Sequence, residues 1–253
     1  MNRDSFKSAH TYIKSWLLAM LVEHGEHVDF ISGVVHNFFE VLPNRFLPLT
    51  NNKDFAFLME TPEAIYVPVS GTKNLRAWVD DARIFFPVRG FHRGFRDSFY
   101  DLIAEPLIKF IGNSRKPVIF GGHSRGEAES KYGAFYLRDE LEYPDVQHIG
   151  FCGPHLTNTK GYDRCKKAKL RSTRIYVDKG DLVDDVFAGK HYGYSVELPY
   201  CGRPGIVENV VVDSLIMGHA PSYVTKCMKQ LFTNWKKPEQ VQFLSAIEQF
   251  AVR

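Results

Sequence analysis

The sequence predicts an α/β fold with a mostly parallel central sheet and helices on both of its faces. Two observations support this prediction. Short apolar runs alternate with longer segments of helical apolar spacing, and a glycine-rich turn joins one such run to a helix. The 253 residues, 44% hydrophobic and with 20 Phe, supply enough apolar area for one core. We therefore expect a single domain over residues 1–253, with residues 1–50 forming a helical segment packed on the sheet.

Two helices are predicted near the start of the chain, because apolar residues recur there at three- and four-residue spacing with an interruption near Gly25. They are Ile13, Leu17, Met20 and Leu21, followed by Ile31, Val34, Val35, Phe38 and Phe39. Acidic residues between them favour burial against the sheet over a helix lying on a membrane surface. The chain starts without the apolar core of a signal peptide, and the run 16–22 is too short to span a bilayer, so we expect a cytoplasmic protein.

From residue 54 onwards the pattern favours strands. Residues 55–58 and 65–69 flank a turn at Thr61-Pro62-Glu63 and are expected to form a hairpin that leads into the central sheet. A long amphipathic helix is predicted from Phe95 to Leu107. Further strands are predicted at 117–120, 146–151, 172–177, 194–198 and 207–212, with helices over 128–137 and around Tyr223, Cys227 and Leu231.

The most informative stretch is Gly-Gly-His-Ser124-Arg-Gly126, which lies between the apolar run 117–120 and a helix-compatible segment. A serine between a strand and a helix, with a glycine two residues away on either side, is typical of a nucleophile elbow. The turn strains the serine backbone and lifts the hydroxyl clear of the sheet, and side chains at Gly122 or Gly126 would collide with the tightened turn. The match alone is weak evidence, because small residues are common in strand-helix turns.

A serine hydroxyl needs a base to become a nucleophile, and the base needs a carboxylate to orient it. Asp181 follows the predicted strand 172–177, at the carboxyl end where α/β sites form. His219 lies in a loop flanked by Gly and Pro. Taken singly, these residues more often serve as a turn acid and a surface histidine. Together they follow Ser124 in the order Ser, Asp, His used by hydrolases with this elbow, and so predict a catalytic triad.

Further motifs are spread between about residues 64 and 225. They are Val-Ser-Gly-Thr72 with the downstream Trp78 and Asp80, Phe-His92-Arg-Gly94-Phe95, the elbow at Ser124, Asp181 followed by Leu-Val, His191-Tyr-Gly-Tyr-Ser-Val-Glu197, and His219 followed by Ala-Pro-x-x-Tyr. This set resembles the class 3 lipases, the family of fungal triacylglycerol lipases, plant acyl hydrolases and feruloyl esterases. The resemblance implies an α/β-hydrolase fold and a serine-dependent carboxylic ester hydrolase that cleaves lipid-like acyl esters and needs no metal or cofactor.

The resemblance also implies a role for each matching residue. Ser124 attacks the ester carbonyl, His219 takes the proton, and Asp181 holds the imidazole in the correct tautomer. The oxyanion is then stabilised by the backbone N–H of Arg125 at the start of its helix and by the N–H and hydroxyl of Thr72.

A lid and substrate contacts are expected just after Thr72. Leu75 and Trp78 form an apolar helical face there, and in the family this segment covers the site. An ordinary core role for Trp78 fits the sequence equally well. We add His123, the elbow residue before Ser124, as a further candidate for substrate contact.

Two positions depart from the family pattern. Glu127 lies in the first turn of the nucleophile helix, where the family usually has small residues, and Ser70 stands where the family commonly has Arg. A carboxylate is favourable near a helix N-terminus but would oppose the developing oxyanion if it were buried beside it. A catalytically silent lipase-fold protein that binds a lipid or protein partner is therefore an alternative. Phospholipase or acyltransferase activity would use the same triad.

Composition limits the remaining partners. The cysteines Cys152, Cys165, Cys201 and Cys227 have no paired or metal-binding spacing, so reduced thiols are expected, and His24-Gly-Glu-His27 lacks the spacing of a metal pair. Against a net charge of only +3, a basic segment contains Lys160, Arg164, Lys166, Lys167, Lys169, Arg171 and Arg174. A solvated helix face is the first interpretation and transient docking on an anionic membrane surface the second. Nucleic acid is not an expected partner, because interleaved aromatic residues for base stacking are missing.

Overall fold

The computed structural model describes residues 11–42, 44–51, 54–71, 87–177, 190–199 and 221–234, with residues 238, 241, 244 and 245. Its first elements are α1 (Thr11–Val22), α2 (Val28–Phe38), β1 (Phe46–Thr50), β2 (Phe55–Glu60) and β3 (Ile65–Val69). Next come β4 (Pro87–Val88), β5 (Phe91–His92), α3 (Arg93–Phe99), a π-helical turn (Tyr100–Ala104) and α4 (Glu105–Ile111). The remainder comprises β6 (Val118–His123), α5 (Arg125–Phe135), a second π-helical turn (Tyr136–Glu140), β7 (Val146–Phe151), α6 (Thr159–Lys167), β8 (Arg171–Val177), β9 (Tyr194–Leu198) and α7 (Pro221–Asn234).

Within the described residues, seven strands form one sheet in the order β1-β2-β3-β6-β7-β8-β9. The first three strands pair antiparallel, and every pairing from β3 to β9 is parallel. The registers place the carboxyl ends of three strands side by side, with Val69 opposite Gly122, His123 opposite Phe151, and Phe151 opposite Ile175. The carboxyl ends of the strands are where α/β sheets form their sites.

Helices cover both faces of the sheet, as predicted. Because the parallel strands advance along the sheet in one direction, right-handed crossovers place the connecting helices that the structure describes on the same face. Apolar residues of α3, α4, α5 and α6 accordingly share one core with the sheet. The opposite face is covered by α1, α2 and α7, whose apolar residues share a second core with the sheet. The predicted α/β-hydrolase architecture is thereby confirmed.

The central strands are apolar on both sides because they lie between two helical layers. All residues of β2, β3 and β6 are buried. Along β2, Phe57 and Met59 point into the core with α1, whereas Ala56 and Leu58 point into the core with α3 and α5.

The long helix predicted from Phe95 to Leu107 is present but not uniform. It runs as α3, a π-helical turn at Tyr100–Ala104 and α4, which carries Pro106 at its start. A proline inside a helix has no N–H to donate and its ring clashes with the carbonyl four residues earlier. Widening of the preceding turn accommodates this clash, so Pro106 explains why the helix departs from regular α geometry there.

Helix α1 is buried over most of its circumference, from Ile13 through Val22. The Trp16 ring packs 4.7 Å from the Phe151 ring on the sheet, and its Nε1 donates a hydrogen bond of 2.9 Å to Thr225 Oγ1 of α7. The first and last described helices are therefore joined beneath the carboxyl edge of the sheet. The single-domain prediction extends over residues outside the described ones and stays a prediction.

The basic segment is not one solvated face, which corrects the sequence interpretation. Arg174 is only 4% exposed, because it lies on β8 and faces the helical layer of α5. Arg164 pairs with Asp139 and Glu140, and Arg171 pairs with Asp145. The exposed lysines of the segment are Lys160, Lys166, Lys167 and Lys169. In a strand, residues an odd number apart point to opposite faces, so Arg171 and Arg174 cannot share a surface.

The predicted strand at 207–212 lies outside the described residues. In the part of the chain that the structure describes, no helix combines the length and the apolar character needed to cross a membrane.

Candidate active site

Ser124 occupies the turn between β6, which ends at His123, and α5, which begins at Arg125. Its backbone dihedrals are φ 58° and ψ −130°. A side chain at positive φ is strained by about 1–3 kcal/mol, and such residues are concentrated at functional sites. Two backbone hydrogen bonds hold the strained residue, from Ser124 N–H to the Phe151 carbonyl (2.9 Å) and from Glu127 N–H to the Ser124 carbonyl (3.0 Å).

The turn can form only because both flanking glycines lack a side chain. A Cβ added to Gly122 would lie closer than 3.0 Å to the Gly126 backbone and to the Val69 carbonyl oxygen. A Cβ added to Gly126 would meet the Val69 carbonyl and the Ser70 backbone equally closely. Strand β3, strand β6 and helix α5 therefore meet backbone to backbone around Ser124.

The side chain of Ser124 is buried beside the loop that follows β3. Ser124 is 4% exposed, and its Oγ makes no hydrogen bond with any residue the structure describes. A Cβ added to Gly71 would be 3.4 Å from Ser124 Cβ, so the backbone just before Thr72 lies against the serine. Among the described residues this buried hydroxyl has no hydrogen-bond partner, and a group of this kind needs an explanation beyond packing.

The loop after β3 is anchored by two contacts. Gly71 N–H donates a hydrogen bond of 2.6 Å to Glu23 Oε1 at the end of α1. Ser70 exchanges hydrogen bonds with Phe55, its N–H reaching the Phe55 carbonyl at 2.9 Å and its Oγ accepting from Phe55 N–H at 3.1 Å. Ser70, where the family commonly has Arg, thus joins the two strands at the open end of the β2–β3 hairpin, opposite its turn.

The backbone and the side chain of Arg125 have separate roles. As the first residue of α5 it has a backbone N–H without an acceptor inside the helix. Its guanidinium extends to the other side, pairing Nη1 with Asp54 and donating from Nη2 to Ser98 Oγ (2.9 Å) and Glu129 Oε2 (3.4 Å). Ser98 Oγ in turn donates to Asp54 Oδ2 at 2.9 Å. This network fixes the start of the helix to strand β2 and helix α3.

The two acids in this network carry opposite pKa shifts. Burial alone would raise the pKa of Asp54, but the guanidinium of Arg125 and the Ser98 hydroxyl hold it below the ordinary value. For Glu129, burial dominates and raises the pKa to about 8, although the charge of Arg125 opposes this and Asp54 reinforces it. Glu129 therefore keeps its proton near neutral pH, beside an ionised Asp54.

We expect the stability difference between Glu129→Gln and wild type to depend on pH. The Glu129 pKa rises from 4.5 to about 8 on folding, so its stabilising contribution is complete below pH 4.5 and is lost as pH rises towards 8. The variant should therefore gain stability relative to wild type over this range, measured by urea unfolding at several pH values. Buried histidines contribute equally to both proteins and cancel. A difference independent of pH would contradict the raised pKa.

Glu127 is buried, a point that the sequence alone does not decide. Its carboxylate accepts a hydrogen bond of 2.5 Å from Gly153 N–H, and Arg174 Nε lies 4.0 Å from its other oxygen. The charge is thus directed towards the start of the β7–α6 connection and is matched by a buried cation.

The structure brings five of the predicted site residues into one turn: Gly122, His123, Ser124, Arg125 and Gly126. The His123 ring is buried in an edge-to-face contact with the Trp16 ring of α1, with the ring centroids 5.7 Å apart. Outside the described residues lie Asp181, His219, Thr72, Leu75 and Trp78. Their roles stay predictions.

Sequence reasoning missed three contributors to this region. Glu23, Asp54 and Trp16 reach it from 48, 71 and 209 positions along the chain from their partners Gly71, Arg125 and Thr225. Such contacts are set by tertiary packing, and nothing in the local sequence around them marks them.

No metal site emerges from the part of the chain that the structure describes, where no three His, Cys, Asp or Glu side chains are grouped to hold an ion. The cysteines Cys152, Cys165 and Cys227 are buried, and Cys201 lies outside the described residues.

Solved structures of fungal lipases match the chain in fold. The Rhizomucor miehei lipase in its propeptide complex has a TM-score of 0.56 at 16% identity, covering 72% of this chain and 66% of that chain, just under two thirds. The lipase from Rhizopus microsporus var. chinensis gives 0.57 at 17% identity, with coverage of 72% and 71%. The Rhizomucor miehei triacylglyceride lipase gives 0.54 at 19% identity, with coverage of 72% and 78%.

The chain therefore has the fold of the fungal triacylglycerol lipases, and the resemblance drawn from its motifs is confirmed at the level of the fold. Neither a protein-family model nor a curated protein sequence matches it.

Proposed function

We propose that the protein is a serine-dependent carboxylic ester hydrolase that acts on lipid-like acyl esters through an acyl-enzyme on Ser124. The observation that carries the proposal is the state of Ser124, which is held at φ 58° with a buried Oγ that bonds to no described residue. A protein that used this turn only for packing would have no reason to keep a strained, polar side chain where glycine would fit without strain. The lipase fold supports the same conclusion.

The proposed reaction has two halves. In the first, Ser124 Oγ bonds to the ester carbonyl carbon while His219, oriented by Asp181, takes the hydroxyl proton. The tetrahedral intermediate collapses, the C–O bond to the alcohol breaks, and His219 returns the proton to the leaving oxygen. In the second half, water attacks the acyl-enzyme by the same route and releases the carboxylic acid.

Charge on the intermediate needs donors that are fixed in advance. We propose the Arg125 N–H as one donor, because a helix start favours an anion and because Asp54 and Ser98 hold the Arg125 side chain firmly. The second proposed donor is Thr72, because it directly follows Gly71, whose backbone lies against Ser124. Leu75, Trp78 and His123 stay candidates for substrate contact.

Three reactions of this kind differ only in the acyl donor and in the acceptor of the acyl group. Triacylglycerol hydrolysis, phospholipid hydrolysis and acyl transfer all pass through the same acyl-enzyme. The exposed lysines Lys160, Lys166, Lys167 and Lys169 are suited to transient contact with an anionic lipid surface. Product analysis with phospholipid and neutral-lipid vesicles, with and without an alcohol acceptor, separates these three reactions.

The proposal is tested by reaction with a fluorophosphonate, which labels an activated serine whatever the natural ester. Wild type is expected to gain the mass of one adduct, with loss of fluoride, and Ser124→Ala is expected to gain none. An adduct that persists in Ser124→Ala would place the reactive group elsewhere. Well-folded wild type that stays unlabelled with and without detergent would instead indicate a silent lipase-fold protein.

A further inference from the structure

Glu127 lies three residues after Ser124, in the first turn of the nucleophile helix, and is only 1% exposed. A buried carboxylate is costly unless it is paired and hydrogen-bonded. The proposed triad has no use for this group. Its contacts therefore need a separate explanation.

Those contacts close a ring around the strained serine. Ser124 N–H donates to the Phe151 carbonyl at 2.9 Å, and the chain continues from Phe151 to Gly153. Gly153 N–H donates to Glu127 Oε2 at 2.5 Å, and Glu127 N–H donates to the Ser124 carbonyl at 3.0 Å. Both backbone groups of Ser124 are thus held by a path that passes through the Glu127 side chain.

The segment that follows β7 contains a strained residue and is held from two sides. Cys152, between Phe151 and Gly153, has a φ of 51°, which is unfavourable for a residue with a side chain. Its N–H donates to the Ile175 carbonyl at 2.9 Å, which ties it to β8. The Glu127 carboxylate supplies the corresponding tie on the side of α5.

The carboxylate fits its position closely. A Cβ added to Gly150 would lie under 3.0 Å from the Glu127 side chain, and the same holds for a Cβ added to Gly153. The absence of side chains at these two positions makes the room that Glu127 fills. The acid therefore has little freedom to move away from the Gly153 amide.

A buried cation holds the same pair of groups. Arg174 Nε lies 4.0 Å from Glu127 Oε1, and Arg174 Nη2 donates to the Gly153 carbonyl at 3.4 Å. Lys131, one turn further along α5, is also buried, and its pKa is lowered by burial to about 8 while the charge of Glu127 opposes that shift. The negative charge of Glu127 is thus balanced by buried cations, which limits its repulsion of an oxyanion.

We propose that Glu127 is a positioning residue that fixes the Ser124 turn through the ring formed by Phe151, Gly153 and its own backbone. The inference rests on the proposed function and adds a specific device to it. The position of Ser124 N–H and of the adjoining Arg125 N–H determines where the nucleophile and the oxyanion donor lie. An error of about 1 Å in such positions can cost about 100-fold in rate.

The test compares Glu127→Ala, Glu127→Gln and the control Tyr143→Phe by their second-order rate constants for fluorophosphonate labelling, per folded molecule. Glu127→Ala removes the acceptor of Gly153 N–H and is expected to label about 10- to 100-fold more slowly than wild type. Glu127→Gln keeps an acceptor oxygen and is expected to restore most of the rate. Tyr143→Phe removes a part-buried hydroxyl that donates to the Ser114 and Lys116 carbonyls, away from the ring, and is expected to label at the wild-type rate.

Amide hydrogen exchange supplies a readout that does not depend on activity. In Glu127→Ala, exchange at Ser124 and Gly153 is expected to accelerate while the rest of β6 and β7 stays protected. The proposal is overturned by wild-type labelling in Glu127→Ala, or by slow labelling with native protection at these two amides. If Glu127→Ala does not fold, Glu127→Gln is measured in both assays. Native protection of the Ser124 and Gly153 amides must then accompany the wild-type labelling rate, and native protection with slow labelling would overturn the proposal. If wild type itself never labels, the proposed function fails, and the exchange data alone decide whether Glu127 holds the turn.

Discussion

Replacement of Ser124 by alanine is expected to lower kcat/KM for a short-chain ester by about 10⁴- to 10⁶-fold, because only the hydroxyl oxygen forms the acyl bond. The variant should keep its fold, since alanine retains the Cβ and the buried Oγ makes no hydrogen bond with the described residues. The measurement is steady-state hydrolysis together with near-ultraviolet circular dichroism. Wild-type hydrolysis in the variant would remove Ser124 from the mechanism.

Glycine at the same position separates catalysis from strain. Ser124→Gly removes the nucleophile and also the Cβ that is strained at a φ of 58°. We therefore expect this variant to be inactive yet more stable than Ser124→Ala by about 1 kcal/mol, measured by urea unfolding. Equal stability of the two variants would mean that the turn relaxes in solution. That result would contradict the strained geometry of Ser124 but would not bear on its role as the nucleophile.

The proposed triad residue His219, which lies outside the described part of the chain, can be tested in the same way. Groups that act as a unit give losses that do not add. Removal of His219 together with Ser124 should therefore cost no more activity than removal of Ser124 alone, whereas His219→Ala by itself should approach the same loss. An additive double variant would show that His219 acts independently of Ser124.

The sequence predicted those parts of the fold that have a local cause. Strand β7 at 146–151 and strand β9 at 194–198 match their predicted bounds, and the β2–β3 hairpin lies where the turn at Thr61-Pro62-Glu63 indicated. Each of these depends on apolar periodicity or on turn chemistry within a few residues. The turn at Ser124 belongs to the same class, because its glycines and the flanking strand and helix are adjacent in the sequence.

The unpredicted features depend on which segments the fold brings together. The pairing of Arg125 with Asp54 and the bond from Gly71 to Glu23 join segments whose separation in sequence carries no pattern. The density of basic residues along the sequence predicts that Arg174 is a surface charge, whereas the structure buries it. The prediction is wrong because successive side chains of a strand point to opposite faces of the sheet. The π-helical turn at Tyr100–Ala104 had an available signal, since Pro106 cannot continue a regular helix.

Gly126→Ala is expected to have the largest effect on stability of any single change at the site. The added Cβ would lie under 3.0 Å from the Val69 carbonyl and from the Ser70 backbone. Neither is the end of a flexible side chain, so β3 or the start of α5 must move. A cost of more than about 4 kcal/mol is expected, enough to leave a marginally stable domain largely unfolded.

Gly33→Ala is the matched control, because a Cβ added to this helical glycine of α2 meets nothing within 4 Å. There alanine should raise the free energy of unfolding by about 0.5–1 kcal/mol through helix propensity alone. Urea unfolding of both variants tests the pair. If Gly126→Ala unfolded at the wild-type denaturant concentration, the backbones of β3 and α5 could not approach as closely as described. Ser124 would then lose the geometric basis for its strained conformation, and with it the observation on which the proposed nucleophile depends.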